Sequence, residues 1–255
     1  MPPVKRSKAA YRIAAEQLLA GIKDGTYAPG SQFPSQPDLA AQFGLSEPVI
    51  NQAVSLLVNR GYLNAQRGVG TFVRKIQPLT HDLTSRSRRA AREAGGAHGA
   101  FQAEVERSGM RAASDVDVDR EVPPPEVARI LGLEDGDLAL VRRRRQYADG
   151  VPSQWAPSWY RLDVADAAGL GQEDTGQGGT RSRLAEHGYP VVGETPEITV
   201  RDASEDEAAF LGTGLDEPVI EILRTAWAEG DRAVEVTMIV APAYQFKITG
   251  YIPVD

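Results

Sequence analysis

Apolar residues recur at helical spacing three times in the first sixty positions, and the polar residues between them mark where each helix starts and stops. Over 9–22, Ile13, Leu18, Leu19 and Ile22, with alanines between, form one apolar stripe, stopped by Gly25 and the turn Tyr27-Ala28-Pro29-Gly30. Pro34-Ser35 opens a second helix, with Ser35 as N-cap and Leu39, Ala40 and Phe43 as its buried face. Gly44 ends it, because glycine accepts the positive φ of a tight turn. Ser46 is the expected cap of a third helix, with Pro48 in the first turn and Ile50, Ala53, Val54 and Leu57 at helical spacing, closed by Gly61. The pattern predicts a helix-turn-helix, whose second member has the size a DNA major groove admits. After it, Tyr62-Leu63-Asn64-Ala65 and Thr71-Phe72-Val73 predict two strands around Arg67-Gly68-Val69-Gly70. The glycines permit a tight tip that approaches a phosphate backbone or minor groove closely, and Arg67 supplies charge.

Beyond this module the stripe disappears. From 78 to 99 the chain is rich in Arg, Ala, Gly and Ser, and it reads as a linker, partly helical over 86–94. From 100 to 255 short strands and helices alternate. Strands are expected at 116–122, 138–147, 154–160 and 197–201, helices at 101–108, 123–131, 180–187 and 204–211, and a last hairpin at 219–228 and 233–239 around Glu229-Gly230-Asp231. Asp149-Gly150 is the signature of a two-residue hairpin turn. The fold class is therefore α+β with a mainly antiparallel sheet in the second domain. The expected division is 1–77, a linker at 78–99, and 100–255.

Charge sharpens this division. The 255 residues carry 28 Lys/Arg and 35 Asp/Glu, a net charge of −7. Residues 1–77 nevertheless hold nine basic and four acidic side chains, leaving the acidic excess to the remainder. A basic module joined to an acidic one is the split expected when only the first meets phosphates. The chain has no cysteine, which excludes a disulfide scaffold and thiolate metal sites and suits a reducing cytoplasm. No run approaches the roughly 20 apolar residues of a membrane span, and the charged first residues are not those of a secretory signal. The three histidines, His81, His98 and His187, have no metal-ligand or triad spacing around them, and there is no P-loop. No metal, no cofactor and no catalytic activity are expected.

The landmarks of the first domain resemble the winged helix of the GntR family of bacterial transcription regulators. They are Gly25-Thr26-Tyr27 with Pro29-Gly30, Phe33-Pro34-Ser35, Leu39-Ala40, Ser46, Ala53, Leu57, Gly61-Tyr62 and Gly68-Val69-Gly70-Thr71-Phe72-Val73. The rest resembles the UTRA effector domain of the HutC branch, whose fold is like chorismate lyase. The features are Leu131-Gly132-Leu133, the arginine run before Ala148-Asp149-Gly150, Pro152, Ser158-Trp159-Tyr160, Leu184 with Gly188, and Ala233-Val234-Glu235-Val236. The two resemblances together cover nearly the whole chain.

The resemblance implies DNA contacts at Ser35, Gln36, Ser46, Glu47, Val49, Asn51 and Gln52 in the helix-turn-helix, and at Arg67, Gly68, Gly70 and Thr71 in the wing. The base-reading residues depart from the family, which often carries basic residues where Glu47 and Asn51 stand. Asn51 and Gln52 suit adenine and a carboxylate suits cytosine N4, with Gln52 near the edge of the core-facing side. For the effector, Arg142-Arg143-Arg144-Arg145 lie on one strand, so Arg142 and Arg144 share one face and Arg143 and Arg145 the other. Guanidinium forks bind carboxylates and phosphates. The resemblance places Arg142, Arg144, Gln146, Ser158, Tyr160 and Glu235 at a ligand, with Gln146 where an arginine is usual and Ala156 where sugar-phosphate-sensing relatives have an acid.

The expected protein is thus a cytoplasmic, homodimeric regulator, most often a repressor in this family, that binds a pseudo-palindromic double-stranded operator. A small, acidic effector in the second domain would alter its DNA affinity. The alternatives are a constitutive repressor of the plasmid-transfer type without an effector, and a small-molecule enzyme or binding protein with a vestigial winged helix.

Overall fold

The computed structural model describes residues 4–66, 68–74, 79–213 and 217–252. The chain divides into two compact units, one built mainly from residues 1–77 and the other from 78–212 and 218–255.

In the first unit, α1 (Val4–Lys23), α2 (Gln36–Phe43) and α3 (Glu47–Asn59) precede a hairpin of β1 (Leu63–Gln66) and β2 (Gly70–Val73). Helix α1 begins at Val4. Its apolar stripe closes on the other helices: Leu18, Leu39, Ile50, Ala53, Leu57 and Leu63 form a core with Phe33 and Val73. Ile13, expected in that stripe, is 55% exposed. Gly44 closes α2 at φ 62°, the left-handed conformation that frees the chain to turn into α3. In the hairpin Leu63 faces Val73 and Gln66 faces Gly70. Residues 31–33 extend it, since the Val73 N–H donates to Ser31 O at 2.9 Å and the Phe33 N–H to Thr71 O at 2.7 Å.

The second unit opens with β3 (Leu79–Asp82), α4 (Leu83–Ser87) and α5 (Arg89–Arg92), within the stretch expected to be a linker. Strand β3 pairs in parallel with β11 (Phe246–Thr249), from the far end of the chain, with Leu79 opposite Phe246 and Asp82 opposite Thr249. Between these ends lie α6 (Ala100–Arg107), β4 (Ala112–Glu121), α7 (Pro125–Leu131), β5 (Ala139–Ala148), β6 (Val151–Trp155), β7 (Ser158–Arg161), α8 (Leu162–Ala167), α9 (Thr180–Glu186), β8 (Gly193–Asp202), α10 (Glu205–Leu211), β9 (Pro218–Ala228) and β10 (Arg232–Pro242). The main sheet is antiparallel, in the order β4-β5-β6-β10-β9-β8, with β7 also pairing with β5 and β10. Asp149 (φ 48°) and Gly150 (φ 76°) make the expected tight turn between β5 and β6. The single strand expected at 154–160 breaks at Ala156-Pro157: proline has no N–H for a central ladder, so the return splits into β6 and β7. Helix α8 carries no expectation in the sequence pattern, being too short for one.

Alternation along the strands sorts the two faces of the sheet. Val127 and Leu131 of α7 pack with Ala139, Val141, Trp159 and Val236 on one face. Ala208 and Leu211 of α10 pack with Val219 and Val240. On the other face Leu140 and Tyr160 pack with Val164 of α8 and Leu184 of α9. That second face carries Arg142, Arg144 and Gln146.

Candidate functional site

The first candidate surface is the outer face of α2 and α3. Ser35 caps α2: the Asp38 N–H donates to its hydroxyl at 3.3 Å, and that hydroxyl donates to the Asp38 carboxylate at 2.5 Å. Ser46 differs from expectation. Its backbone takes the extended N-cap conformation and its carbonyl accepts from Val49 and Ile50, but its hydroxyl makes no cap bond. Glu47, Asn51, Gln52 and Ser55 are exposed, while Ile50, Ala53, Val54 and Leu57 are buried. Gln52 therefore belongs to the outer face and not to the core side. The 13 residues of α3 include no Lys or Arg. Asn51 has a defined setting: its Oδ1 accepts from Gln36 Nε2 at 3.2 Å and from the Ser55 hydroxyl at 3.4 Å.

At the wing, Gly68 has φ 76° and Gly70 φ 139°, both in the region that favours glycine. A Cβ on Gly70 would lie 2.8 Å from the movable amide end of the Gln32 side chain, so it is the positive φ more than the space that calls for glycine here. Val69 between them is 62% exposed. Arg67 lies outside the described residues. Thr71 is half-buried in β2, paired with Ala65.

The second candidate is a cavity of about 420 Å³ in the second unit. It is walled by β5 through Arg142, Arg144 and Gln146 and by β10 through Glu235 and Thr237, with Arg224 of β9 beside them. Three of the expected ligand residues on β5, and Glu235, are thus brought together. Arg143 and Arg145 do not line it; Arg143 pairs instead with Asp117 at 3.3 Å and with Glu121. Ser158 and Tyr160 lie directly behind the lining. Ser158 bonds Arg144 and, at 2.6 Å, Thr237. The Tyr160 hydroxyl bonds Glu235 at 2.8 Å and Thr180 at 3.2 Å, and burial pushes its pKa up to about 12. The remaining wall was not foreseen: Arg86 and Arg92 from the expected linker, and Thr180 and Arg181 from the start of α9. Arg224 had one legible signal, as the single cation in the apolar run of β9 opposite Thr237.

Six guanidinium groups therefore line one cavity: Arg86, Arg92, Arg142, Arg144, Arg181 and Arg224. Three buried or half-buried carboxylates answer them, and the exposed Glu173 and Asp174 also line the cavity. Glu104 pairs with Arg86, Glu194 with Arg181 and, at 3.2 Å, with Arg224, and Glu235 also with Arg224. Among the described residues Arg92, Arg142 and Arg144 have no salt-bridge partner. Arg142 instead donates to the carbonyls of Leu170 (2.5 Å), Gln172 and Glu173 (2.7 Å), holding the 170–173 segment against the sheet. Burial, followed by the Arg224, Arg92 and Arg86 cations, pulls Arg181 well below the ordinary guanidinium range. Arginine keeps its proton at physiological pH, so this repulsion is one that an anion in the cavity relieves.

His81, behind Arg86, gives a measurable consequence. Burial first, then Arg86 and Arg224, depress its pKa strongly; its Nδ1 lies 4.0 Å from Glu104 and makes no hydrogen bond. A histidine held neutral in the fold but protonated when unfolded removes stability as pH falls through its unfolded pKa of about 6.5. Lowering the pH from 7.5 to 6 is expected to cost roughly 0.8 kcal/mol through this group, above the range where ordinary carboxylates titrate. Urea midpoints at the two pH values check this, and His81→Gln removes the difference.

Two family models match the chain. The model for bacterial regulatory proteins of the gntR family matches residues 10–73, and that for the UTRA domain matches 108–247. An uncharacterized HTH-type transcriptional regulator of Streptomyces coelicolor is 29% identical, over 93% of each chain. The HTH-type transcriptional repressor NagR of Bacillus subtilis is 28% identical over 88% of this chain and 87% of its own. Among solved structures, PhnF of Mycobacterium smegmatis superposes with a TM-score of 0.58 at 18% identity, covering 95% of this chain and all of that one.

Proposed function

Because the chain belongs to the GntR family of bacterial regulatory proteins and carries its UTRA domain, we propose that it is a transcriptional repressor whose operator affinity is set by a small acidic ligand held in the cavity of the second unit. The family is one of regulators, and the chain is a DNA-binding regulator under the control of a small ligand, not an enzyme. The sign of regulation follows the Bacillus subtilis relative, a repressor.

The observation that carries the acidic ligand is the imbalance of six buried or half-buried guanidinium groups against three buried or half-buried carboxylates around one cavity, whose two further acids, Glu173 and Asp174, are exposed to solvent. Each uncompensated buried charge costs several kcal/mol, roughly, and an anionic ligand is the natural complement. The same observation disfavours the constitutive, effector-free alternative. Binding acts on DNA by differential affinity: a ligand that prefers one arrangement of the regulator shifts the population toward it. We assign residues 1–77 to DNA binding and the remainder, with 78–99, to the effector unit.

On DNA, α3 enters the major groove with Ser46, Glu47, Val49, Asn51 and Gln52 toward the bases. Ser35 and Gln36 border them, and the Gly68, Gly70 and Thr71 backbone with Arg67 meets phosphate or the minor groove. A homodimer reads a pseudo-palindrome through two such helices. The protein acts in the cytoplasm; among the described residues no helix is long and apolar enough to cross a membrane. Because α3 carries no cation, base reading there rests on amides and a carboxylate. Asn51→Ala is therefore expected to weaken binding to a selected operator by roughly 1–3 kcal/mol, while the slope of log affinity against log salt stays unchanged, since no phosphate contact is removed. Fluorescence anisotropy at several salt concentrations checks both. A variant that binds operator and scrambled DNA as wild type does would refute this assignment of α3.

A further inference from the structure

The main sheet ends at β4 on one side and at β8 on the other, and the two strands treat their open edges differently. An open edge is a template for another chain, and proteins blunt it with charge. Strand β4 is blunted in this way, since Asp115, Asp117 and Asp119 are exposed at every second position along it. Two copies of β4 set side by side would oppose acid to acid, which is destabilising. Strand β8 carries the opposite pattern: Ile198 is 45% exposed and Val200 64% exposed. They stand opposite Ile222 and Ile220 of β9, which pack with Ala156, Ile239 and Ile248. An apolar strip thus crosses the sheet from its core and, among the described residues, stops uncovered at the edge.

One bond fixes the backbone direction there. The Ala243 N–H donates to Pro218 O at 3.0 Å, so every second residue of β9 from Pro218 turns toward β10, and Val219, Glu221 and Leu223 between them turn toward β8. Their partners on β8 are Arg201, Thr199 and Glu197. The N–H and C=O groups of Ile198, Val200 and Asp202 therefore face the open edge, with Pro196, which has no N–H, at its far end.

We infer that β8 is the surface through which two copies of this chain join, its open edge pairing antiparallel with the same edge of the second copy about a twofold axis at Thr199. This rests on the homodimer reading above and names its surface. In that register Ile198 of one copy meets Val200 of the other, Thr199 meets Thr199, and Glu197 meets Arg201, an opposite-charge pair. Arg201 is held in place beforehand by Glu207 and Glu221. Pro196 falls opposite Asp202, whose N–H still reaches the Pro196 carbonyl. Moving the axis by one residue sets Asp202 on Ile198 or Pro196 on Val200, and loses the apolar match or a ladder bond. The axis is the symmetry that a pseudo-palindromic site requires. Glu194, on the same face of β8 as Ile198, pairs with Arg181 and, at 3.2 Å, with Arg224 at the cavity. The strand that joins the copies therefore also carries one of the cavity's carboxylates.

The chain has no cysteine, so a single introduced one reports the contact. The two residues 199 form a non-hydrogen-bonded pair with Cα atoms about 4.5 Å apart, within the span of a disulfide. Thr199→Cys in the full chain is expected to run as a covalent dimer on a non-reducing gel after mild oxidation, and Asp117→Cys on β4 to remain uncross-linked. Val200→Lys is expected to raise the dimer dissociation constant roughly tenfold or more in analytical ultracentrifugation, because a lysine on the edge opposes pairing. Circular dichroism identifies a variant that fails to fold; should Val200→Lys do so, the two cysteine variants decide. A wild-type dimer overturns the surface, and leaves the homodimer reading standing, where Thr199→Cys does not cross-link, where Asp117→Cys cross-links as readily, or where a folded Val200→Lys dissociates as wild type does. Wild type that sediments as a monomer overturns both.

Discussion

Glu235→Gln lowers the stability of the second unit by about 3 kcal/mol, the low end of what removing one partner of a buried ion pair costs. The side chain is buried, and its carboxylate accepts from Arg224, from Tyr160 at 2.8 Å, from Thr237 at 3.1 Å and from Thr180 at 3.3 Å. Glutamine keeps the volume and removes the charge, leaving Arg224 with Glu194 alone. The low end applies because Glu194 still lies 3.2 Å from Arg224. Burial by itself would raise the Glu235 carboxyl, but Arg224, Arg181 and Arg144, with the Tyr160 hydroxyl, hold it well below the usual carboxylate range. A carboxylate depressed in the fold stabilises above its unfolded pKa, and the contribution is lost as pH falls through the depressed value. The deficit of the variant is therefore full at neutral pH and shrinks in strong acid. Urea unfolding at pH 7 reads it. Added phosphate restores more stability to the variant than to wild type, because the cavity then carries a larger excess of positive charge.

Leu57→Ala is expected to cost the first unit about 2–5 kcal/mol, the transfer and cavity cost of deleting a fully buried leucine. Leu57 has no exposure and lies in the core with Leu18, Leu39, Ile50 and Leu63. Small domains have about 5–15 kcal/mol in total, so α3 is no longer held firmly for base contact. Operator binding falls steeply, whereas binding of phosphate or citrate is retained because the cavity is lined entirely by the second unit. A thermal melt and the two binding assays, run on the same preparation, separate these outcomes.

The winged helix was legible because its signals are local. Gly44 and Gly61 punctuate helices whose apolar spacing is regular, and Asp149-Gly150 specifies its turn wherever it occurs. The antiparallel sheet of the second unit was legible for the same reason. The connector was not. Strand β3 exists only because β11 pairs with it from the other end of the chain, and α4 and α5, five and four residues long, are too short to show a stripe. The arginines there look like solvated charge in sequence, and only burial separates Arg86 and Arg92 from the exposed Arg89.

The cavity was half legible. Strand alternation placed Arg142, Arg144 and Gln146 on one face, and it did so without any ligand. The wall from Arg86, Arg92 and Arg181 depends on three segments distant in sequence, which no spacing rule joins. Ser158 and Tyr160 carry the family's expected residue types, yet their hydroxyls are engaged by Arg144, Thr237, Glu235 and Thr180 behind the lining.

The account's central claim is that a small acidic ligand controls affinity for DNA. It is tested most directly by anisotropy on an operator selected from a randomised DNA pool, titrated with a panel of phosphate esters, dicarboxylates and their uncharged analogues. The prediction is that at least one anionic compound changes operator affinity tenfold or more and that its uncharged analogue does not. A response to uncharged compounds alone, or an operator affinity indifferent to every anion in the panel, would contradict it.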